Sequence, residues 1–440
     1  MHYISSGRLL PFGLTGRNLG GKVHMNVFRT TTLSLAAAVG LLAVVATSAG
    51  AEEKHDIYKL IPNTALSGVV DPQMEDRTSI NKALPKKPRD PNNIVIGWSE
   101  ITLGNPWFVG VADGAKKKAA EYGYEINLQV ADGDVQKQSA QIDSFIATGV
   151  DIIVIDPTDV VGAAADAQRA VDAGIPVIAL GTVPDAAAPI VTTTLANPYG
   201  NGFEAGKYVA QKLGNDTPIT AAMIIGTMGN STSESRLNGM ISGIVFERSN
   251  VLGLGLSRED AMLKGFHLFQ EVKNRGAFSY PEAKFEVVGW GAGSWTEEGG
   301  LTAAEDLLTA NADKLNIILA ENDFMGIGAL KALDNIGKKG IIPVACAADG
   351  FRVALDMVKS GEMMVTGANS GVATGIAAVD LVHKIFGESF DANNLPLGSY
   401  FPAQAITAEN VASFLYPDES NPFFRFETPP FRTIPEIMKQ

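Results

Sequence analysis

Three short apolar runs, Ile94-Val-Ile-Gly97, Ile152-Ile-Val-Ile155 and Val177-Ile-Ala-Leu180, constrain this chain more than anything else in it, because amphipathic stretches of helical length separate them. The runs are too short for independent helices and are rich in β-branched residues, so they read as strands. Apolar strands alternating with helices call for a parallel sheet covered on both faces. In open sheets of that kind, ligands bind beyond the carboxyl ends of the strands. The first strand ends at Ser99 and Glu100 and runs into Gly104-Asn-Pro-Trp-Phe108. A polar loop closing on two aromatics therefore stands where a site is expected.

The alternation continues along the chain. Further strands are predicted near 124–132, 219–228, 284–290, 317–321, 343–349 and 363–368, with helices over 107–122, 135–148, 199–213, 296–311 and 324–336. That is more parallel strand than one small sheet holds, and 440 residues suffice for two domains. The expected fold class is α/β, with two doubly wound parallel-sheet lobes. Residues 52–92 contain Pro62, Pro72, Pro85, Pro88 and Pro91 and read as an extended N-terminal arm. Residues 246–283 break the rhythm and read as a helical insertion on the rim of the second lobe. The tail, 416–440, mixes five prolines with Phe423, Phe424, Phe426 and Phe431. Its aromatics either clamp it onto a lobe or meet a partner.

Charge and cysteine usage narrow the setting. With 35 basic and 48 acidic residues the chain lacks the basic face of a nucleic-acid binder. Residues 26–51 read as an export signal: Arg29 gives the positive start, 33–45 the apolar core, and Ala49-Gly-Ala51 the small-x-small cleavage site. The apolar run is short of the roughly 20 residues needed to span a bilayer. Met25 is the expected initiator. Cleavage after Ala51 removes Arg8, Arg17, Lys22 and Arg29 and no acid, moving the net charge from −13 to −17. The lone cysteine, Cys346, excludes an internal disulfide and reads as a small buried hydrophobe in a strand. No cysteine follows the cleavage site, so a lipid anchor is not expected, and a free periplasmic protein is.

Catalytic signatures are sparse. Gly200-Asn-Gly-Phe-Glu-Ala-Gly206-Lys207 resembles a phosphate loop, but its outer glycines are one residue too far apart and Tyr208 replaces the magnesium-binding hydroxyl. No G-x-S-x-G elbow occurs, and the five histidines are isolated. Asp132-Gly-Asp134 lacks the spacing of a calcium loop and reads as a strand end with a helix cap. Neither a metal nor a cofactor is expected, nor catalysis.

Several blocks, in order, resemble one family: Gly104-Asn-Pro-Trp-Phe108 with Asp113-Gly-Ala115, Ile155-Asp-Pro-Thr-Asp159, Ala173-Gly-Ile-Pro-Val-Ile178, Ala320-Glu-Asn-Asp323 with Gly328-Ala-Leu-Lys-Ala-Leu333, and Ala348-Asp-Gly350. Residues 93 to about 405 are similar to the bacterial periplasmic sugar-binding proteins of the ribose-binding type. The resemblance implies two lobes, 93–195 plus 369–400 and 196–368 plus 401–415, joined by three hinge crossovers near 194–197, 367–369 and 400–404. It also implies closure of the lobes around a small sugar or polyol, delivery to an ABC permease, and a monomer. A sensor that docks a chemoreceptor or histidine kinase is the alternative. An exported enzyme using Glu234 and Asp349 on a glycoside is a further one.

A sugar shows hydroxyls around its edge and C–H groups on its faces. Flat aromatics suit the faces, and carboxylates and amides suit the hydroxyls. By resemblance the aromatics are Trp107 and Phe108 from the first lobe and Trp295 from the second, although Phe108 equally suits a core. The polar candidates are Asn105, Asn322, Asp349 and Asn369, with Ser99 and Glu100 behind them. Asp349 could instead cap the helix at Phe351, and either Asn322 or Asp323 could cap the helix that follows. Two departures bear on the ligand. Gly181-Thr182 stand where the ribose-binding type has Asp-Arg, and Glu234 stands at an arginine position, with Arg236 two residues on. An amino-bearing sugar or another polyol then fits better than ribose. A sugar phosphate is not expected, since few cations face the predicted cleft.

Overall fold

The computed structural model describes residues 55–72, 90, 92–388, 390–418 and 420–437. The expected export signal, its cleavage near Ala51 and the start at Met25 lie outside them. Among the described residues no helix is long and apolar enough to cross a membrane.

The first sheet grows from the runs that open the chain. Strands β1 (Val95–Glu100), β2 (Glu125–Val130), β3 (Ile152–Ile155), β4 (Val177–Leu180) and β5 (Thr193–Leu195) alternate with helices α1 (Pro106–Tyr122), α2 (Val135–Thr148) and α3 (Val160–Asp172). Each helix starts on a side-chain cap that follows a strand: Asn105, Asp134 and Asp159 accept backbone N–H groups of α1, α2 and α3. Such caps contribute about 1 kcal/mol each. Asp134 thus does the capping expected of it.

The chain then passes to a second sheet. It holds α4 (Pro198–Leu213), β6 (Ile219–Ile225), α5 (Ser231–Leu252), α6 (Arg258–Arg275), β7 (Phe278–Tyr280) and β8 (Phe285–Ala292). It continues through α7 (Glu297–Asn311), β9 (Ile317–Ala320), α8 (Asp323–Asn335), β10 (Val344–Cys346), α9 (Arg352–Ser360) and β11 (Thr366–Gly367). A return crossing leads to α10 (Gly371–Phe386) and β12 (Gly398–Tyr400), and a last one to β13 (Ala405–Ile406), which pairs antiparallel with β11.

The first sheet has the order β12-β5-β4-β3-β1-β2, and the second β10-β9-β6-β8-β7. All pairings within them are parallel except β7 on β8. Each sheet carries a buried apolar cluster on either face. Three crossings between two doubly wound sheets match the expected architecture.

Several local readings change. Residues 246–252 continue α5, and α6 buries Ala261, Phe269 and Val272 in the second-lobe core, so residues 246–283 hold the end of one core helix, a second core helix and an edge strand. The described part of the arm, 55–72, is not extended. It forms two short 3-10 turns, Tyr58–Leu60 and Thr64–Leu66, and buries Ile57, Ala65 and Leu66 against α4 and α5. Ile57, Ala65, Leu66 and Val69, the buried apolar residues of this segment, stand at irregular spacing and gave no periodicity from which to read this. The phosphate-loop lookalike is a helix contact: a Cβ on Gly202 or Gly206 of α4 would meet the α5 backbone carbonyls of Arg236 or Met240 at about 2 Å. The tail docks as its aromatics suggest. Phe423 lies against Gly110 of α1, Phe424 against Gly350 and Ile406, and Phe426 against Phe401. Cys346 is buried, as expected.

Candidate ligand-binding site

Loops that follow strands of both sheets meet around one cleft. A cavity lies there, and the roughly 570 Å³ of space free of protein atoms around it includes open solvent. Asn105, Trp107, Phe108, Trp295, Asp349 and Asn369 all line it. The lobes meet around it: Asn105 Nδ2 donates to the Trp295 carbonyl at 3.3 Å, and Thr232 Oγ1 to the Gly181 carbonyl at 2.6 Å. Ser231 Oγ both accepts from Val183 N–H and donates to the Val183 carbonyl, each at 2.9 Å.

The two indoles are held by their nitrogens. Trp107 Nε1 donates to the Asn369 carbonyl and Trp295 Nε1 to Glu321 Oε1, both at 3.0 Å. These bonds fix each ring plane from its edge, and both rings border the cavity. Trp107 meets Phe108 edge to face with ring centroids 5.1 Å apart, which backs the stack. Trp295 sits at φ 58°, a left-handed conformation uncommon for a bulky residue and recurrent at binding sites. Its ring crosses Gly226, where a Cβ would stand 2.0 Å from Nε1.

Asp349 is the hub of the second-lobe wall. Its Oδ1 accepts from Asn369 Nδ2 at 2.7 Å and Arg236 Nη2 at 3.3 Å, and its Oδ2 from Asn322 Nδ2 at 3.2 Å. A carboxylate has about four lone-pair sites, so roughly one remains for a ligand hydroxyl. Asp349 does not cap the helix at Phe351: Asp323 Oδ2 accepts from both Gly350 N–H and Phe351 N–H. Asn322 caps α8 through Met325 N–H at 3.1 Å. Burial, reinforced by Asp349, pushes the Asp323 carboxyl up to about 7.

Four expected site residues lie elsewhere. Asn322 stands one layer behind, orienting Asp349. Ser99 points to the helix side of β1, where it donates to Gln141 Oε1 at 2.7 Å. Glu100 is fully buried and accepts from Trp98 Nε1 at 3.1 Å. Glu234 does not line the cavity: its carboxylate accepts from Thr64 Oγ1 at 2.8 Å and pairs with Lys273 at 2.6 Å, fastening the N-terminal arm. A glycosidase pair of Glu234 with Asp349 therefore lacks one member.

Arg236, one helical turn into α5, takes the cleft position instead. It bridges Glu321 Oε1 at 3.0 Å and Asp349 Oδ1 at 3.3 Å while its Nε has no partner. Of the two, Arg236 and not Glu234 brings its side chain to the cavity. Sequence reasoning also missed Asp156, Thr182, Asn201, Asn230 and Thr232, all of which line the cavity. Asp156 carried the same signal as Asp349, a carboxylate just past a strand end. Among the described residues no cluster suited to a metal ion occurs.

A profile of the family described as "Periplasmic binding protein domain" matches residues 96–389. The chain belongs to this family of periplasmic binding proteins. Among curated proteins it is similar to the ribose import binding proteins of Haemophilus influenzae and Bacillus subtilis. The first is 31% identical over 295 residues, covering 66% of this chain and 85% of the relative. The second is 27% identical over 306 residues, covering 68% and 86%. Among solved structures it resembles an ABC transporter solute binding protein from Mycobacterium smegmatis with bound glycerol. That match has a TM-score of 0.61 at 22% identity and covers 76% of this chain and all of the other. A solute binding protein from Bacillus halodurans with bound myo-inositol matches with a TM-score of 0.58 at 24% identity, over 74% and 98%. These structural matches bear on the fold of this periplasmic binding protein, which they share.

Proposed function

We propose that the protein is the periplasmic solute-binding component of an ABC importer, capturing one small sugar or polyol between its lobes and delivering it to a permease. The observation that carries this reading is the cleft itself. Two indoles with pinned edges face a space lined by Asp349, Asn369 and Arg236, and the walls come from different lobes. Family membership, together with the sugar and polyol names of the relatives, supports the ligand class. Free export into the periplasm follows from the sequence signal ending at Ala51.

Only the closed form lets a guest touch both lobes, so occupancy favours closure. Handover to a permease then needs binding that is tight yet reversible. A micromolar dissociation constant, about −8 kcal/mol, meets that need, and a few desolvated hydrogen bonds with two stacked rings suffice for it after association costs.

A calorimetric and thermal-shift screen of the purified 52–440 chain against neutral sugars and polyols tests the proposal. At least one should raise the melting temperature and bind with a stoichiometry of one. A flat response to the whole panel, with no compaction in X-ray scattering, would refute it.

A further inference from the structure

One pair of groups on the first-lobe wall is left unexplained by sugar binding alone. Asp156, at the end of β3, and Glu100, at the end of β1, are both almost wholly buried, and Asp156 lines the cavity. Their carboxyl groups lie within hydrogen-bonding reach of each other. Glu100 Oε1 and Asp156 Oδ1 are each buried without any donor. Two acceptor oxygens in that position are satisfied together when one proton sits between them. The fold makes room for this pair: Gly181 sits where a Cβ would stand 2.7 Å from Asp156 Oδ2.

The surroundings supply no compensating cation. On β1 the neighbours are Glu100 itself and Trp98, whose indole serves Glu100. The loop after β4 offers the Thr182 hydroxyl, and α2 offers the neutral Gln138 amide, which bonds the Asp156 backbone carbonyl at 2.8 Å. Across the cleft stand Asp349 and Arg236. Among the described residues lining the cavity, Arg236 is the only cation, and Glu321 and Asp349 already engage it. The cleft thus holds more carboxyl groups than its one guanidinium balances.

We infer that the cleft takes a polyol bearing an amino group, whose ammonium lies against Asp156 and replaces the proton that Asp156 shares with Glu100. This rests on the polyol reading and names the ligand class within it. The exchange balances: the ammonium keeps its own hydrogens and donates them to the carboxylates, and the shared proton leaves to solvent. Burial raises the Glu100 carboxyl to about 7, and burial with the Glu100 charge lifts Asp156 well above the usual carboxylate range. The pair therefore holds its proton near neutrality until a cation displaces it.

Matched probes test this: glucose with glucosamine, galactose with galactosamine, and myo-inositol with its monoamine, titrated calorimetrically at pH 7.5 in buffers of different ionisation enthalpy. In at least one pair the amine should bind at least tenfold tighter than its hydroxyl partner and release about one proton. Its affinity should fall by up to tenfold per pH unit below 7. Asp156→Asn should bring the amine-to-hydroxyl affinity ratio to near one, and Glu100→Gln should end the proton release. Thermal melts of both variants confirm that they fold. Equal or weaker amine binding in every pair, or a ratio unchanged by Asp156→Asn, would overturn the inference while leaving the importer reading intact. Silence from both members of every pair would instead overturn that reading and this inference with it.

Discussion

On the second-lobe wall of the cleft, Asp349 holds three donors and Arg236 is shared between two carboxylates, with Asn322 and Trp295 locked around them. On the first-lobe wall, Asp156 and Glu100 face each other with no cation between them, beside the apolar stack of Trp107 and Phe108. Both walls are made of residues just beyond strand ends, yet without a guest one has a donor on every oxygen of Asp349 and Glu321, while the other leaves Glu100 Oε1 and Asp156 Oδ1 with none. The completed wall sets orientation at little reorganisation cost on binding. The incomplete wall is where a guest changes the protein's own chemistry. Position in the fold thus decides where a site lies, and charge balance decides what each side does.

Removing the hub of the completed wall should have the largest effect. Asp349→Ala leaves Arg236 half paired and two amides unserved. By the cost of breaking a buried charged pair, roughly 2–5 kcal/mol, ligand affinity should drop at least 30-fold in calorimetry. An affinity within threefold of wild type would break the contrast. Next in size, Trp107→Ala and Trp295→Ala each remove one stacking face, and a loss of about 2 kcal/mol apiece corresponds to some 30-fold weaker binding. Unchanged binding in either variant would remove that ring from the site.

The pH dependence of the empty protein distinguishes the walls by proton rather than by ligand. An acid raised on folding keeps its proton in the native state while the unfolded chain has lost it, so stability falls as pH climbs through that interval. Glu100 and Asp323 go from 4.5 and 3.8 to about 7. The melting temperature of the ligand-free protein should therefore decline as pH rises from about 4 through about 7. Glu100→Gln should make the decline shallower, and a melting temperature that rises across the interval would contradict the buried pair. Smallest in its effect on binding is Glu234→Gln. It should leave affinity within about twofold while speeding proteolysis and hydrogen exchange of residues 55–70, because it loosens the arm. A large binding loss would return Glu234 to the cleft.

Much of the fold was legible because its signals are local. Each opening apolar run became a strand, and Asn105, Asp134 and Asp159 became caps, whereas the hinge crossings came from the family resemblance and not from any local pattern. The site was harder, because its residues come from many separate loops of both sheets. Strand alternation would have separated Ser99 from Glu100, since they point to opposite faces of β1, but not which face the cavity would occupy. Glu234 and Arg236 lie two positions apart on one helix, about 200° around its axis, so a register uncertain by two exchanged the cleft residue for the arm anchor. Asp156 stood in a family-like block with no role assigned, because its meaning depends on Glu100, 56 residues away in sequence.

The chain has four tryptophans, Trp98, Trp107, Trp290 and Trp295. Two of them border the cavity and a third, Trp98, is hydrogen-bonded to Glu100. Intrinsic ultraviolet emission should then report on both occupancy and the state of the buried acid pair, so that dye-free spectroscopy can follow this protein's filling and emptying in real time.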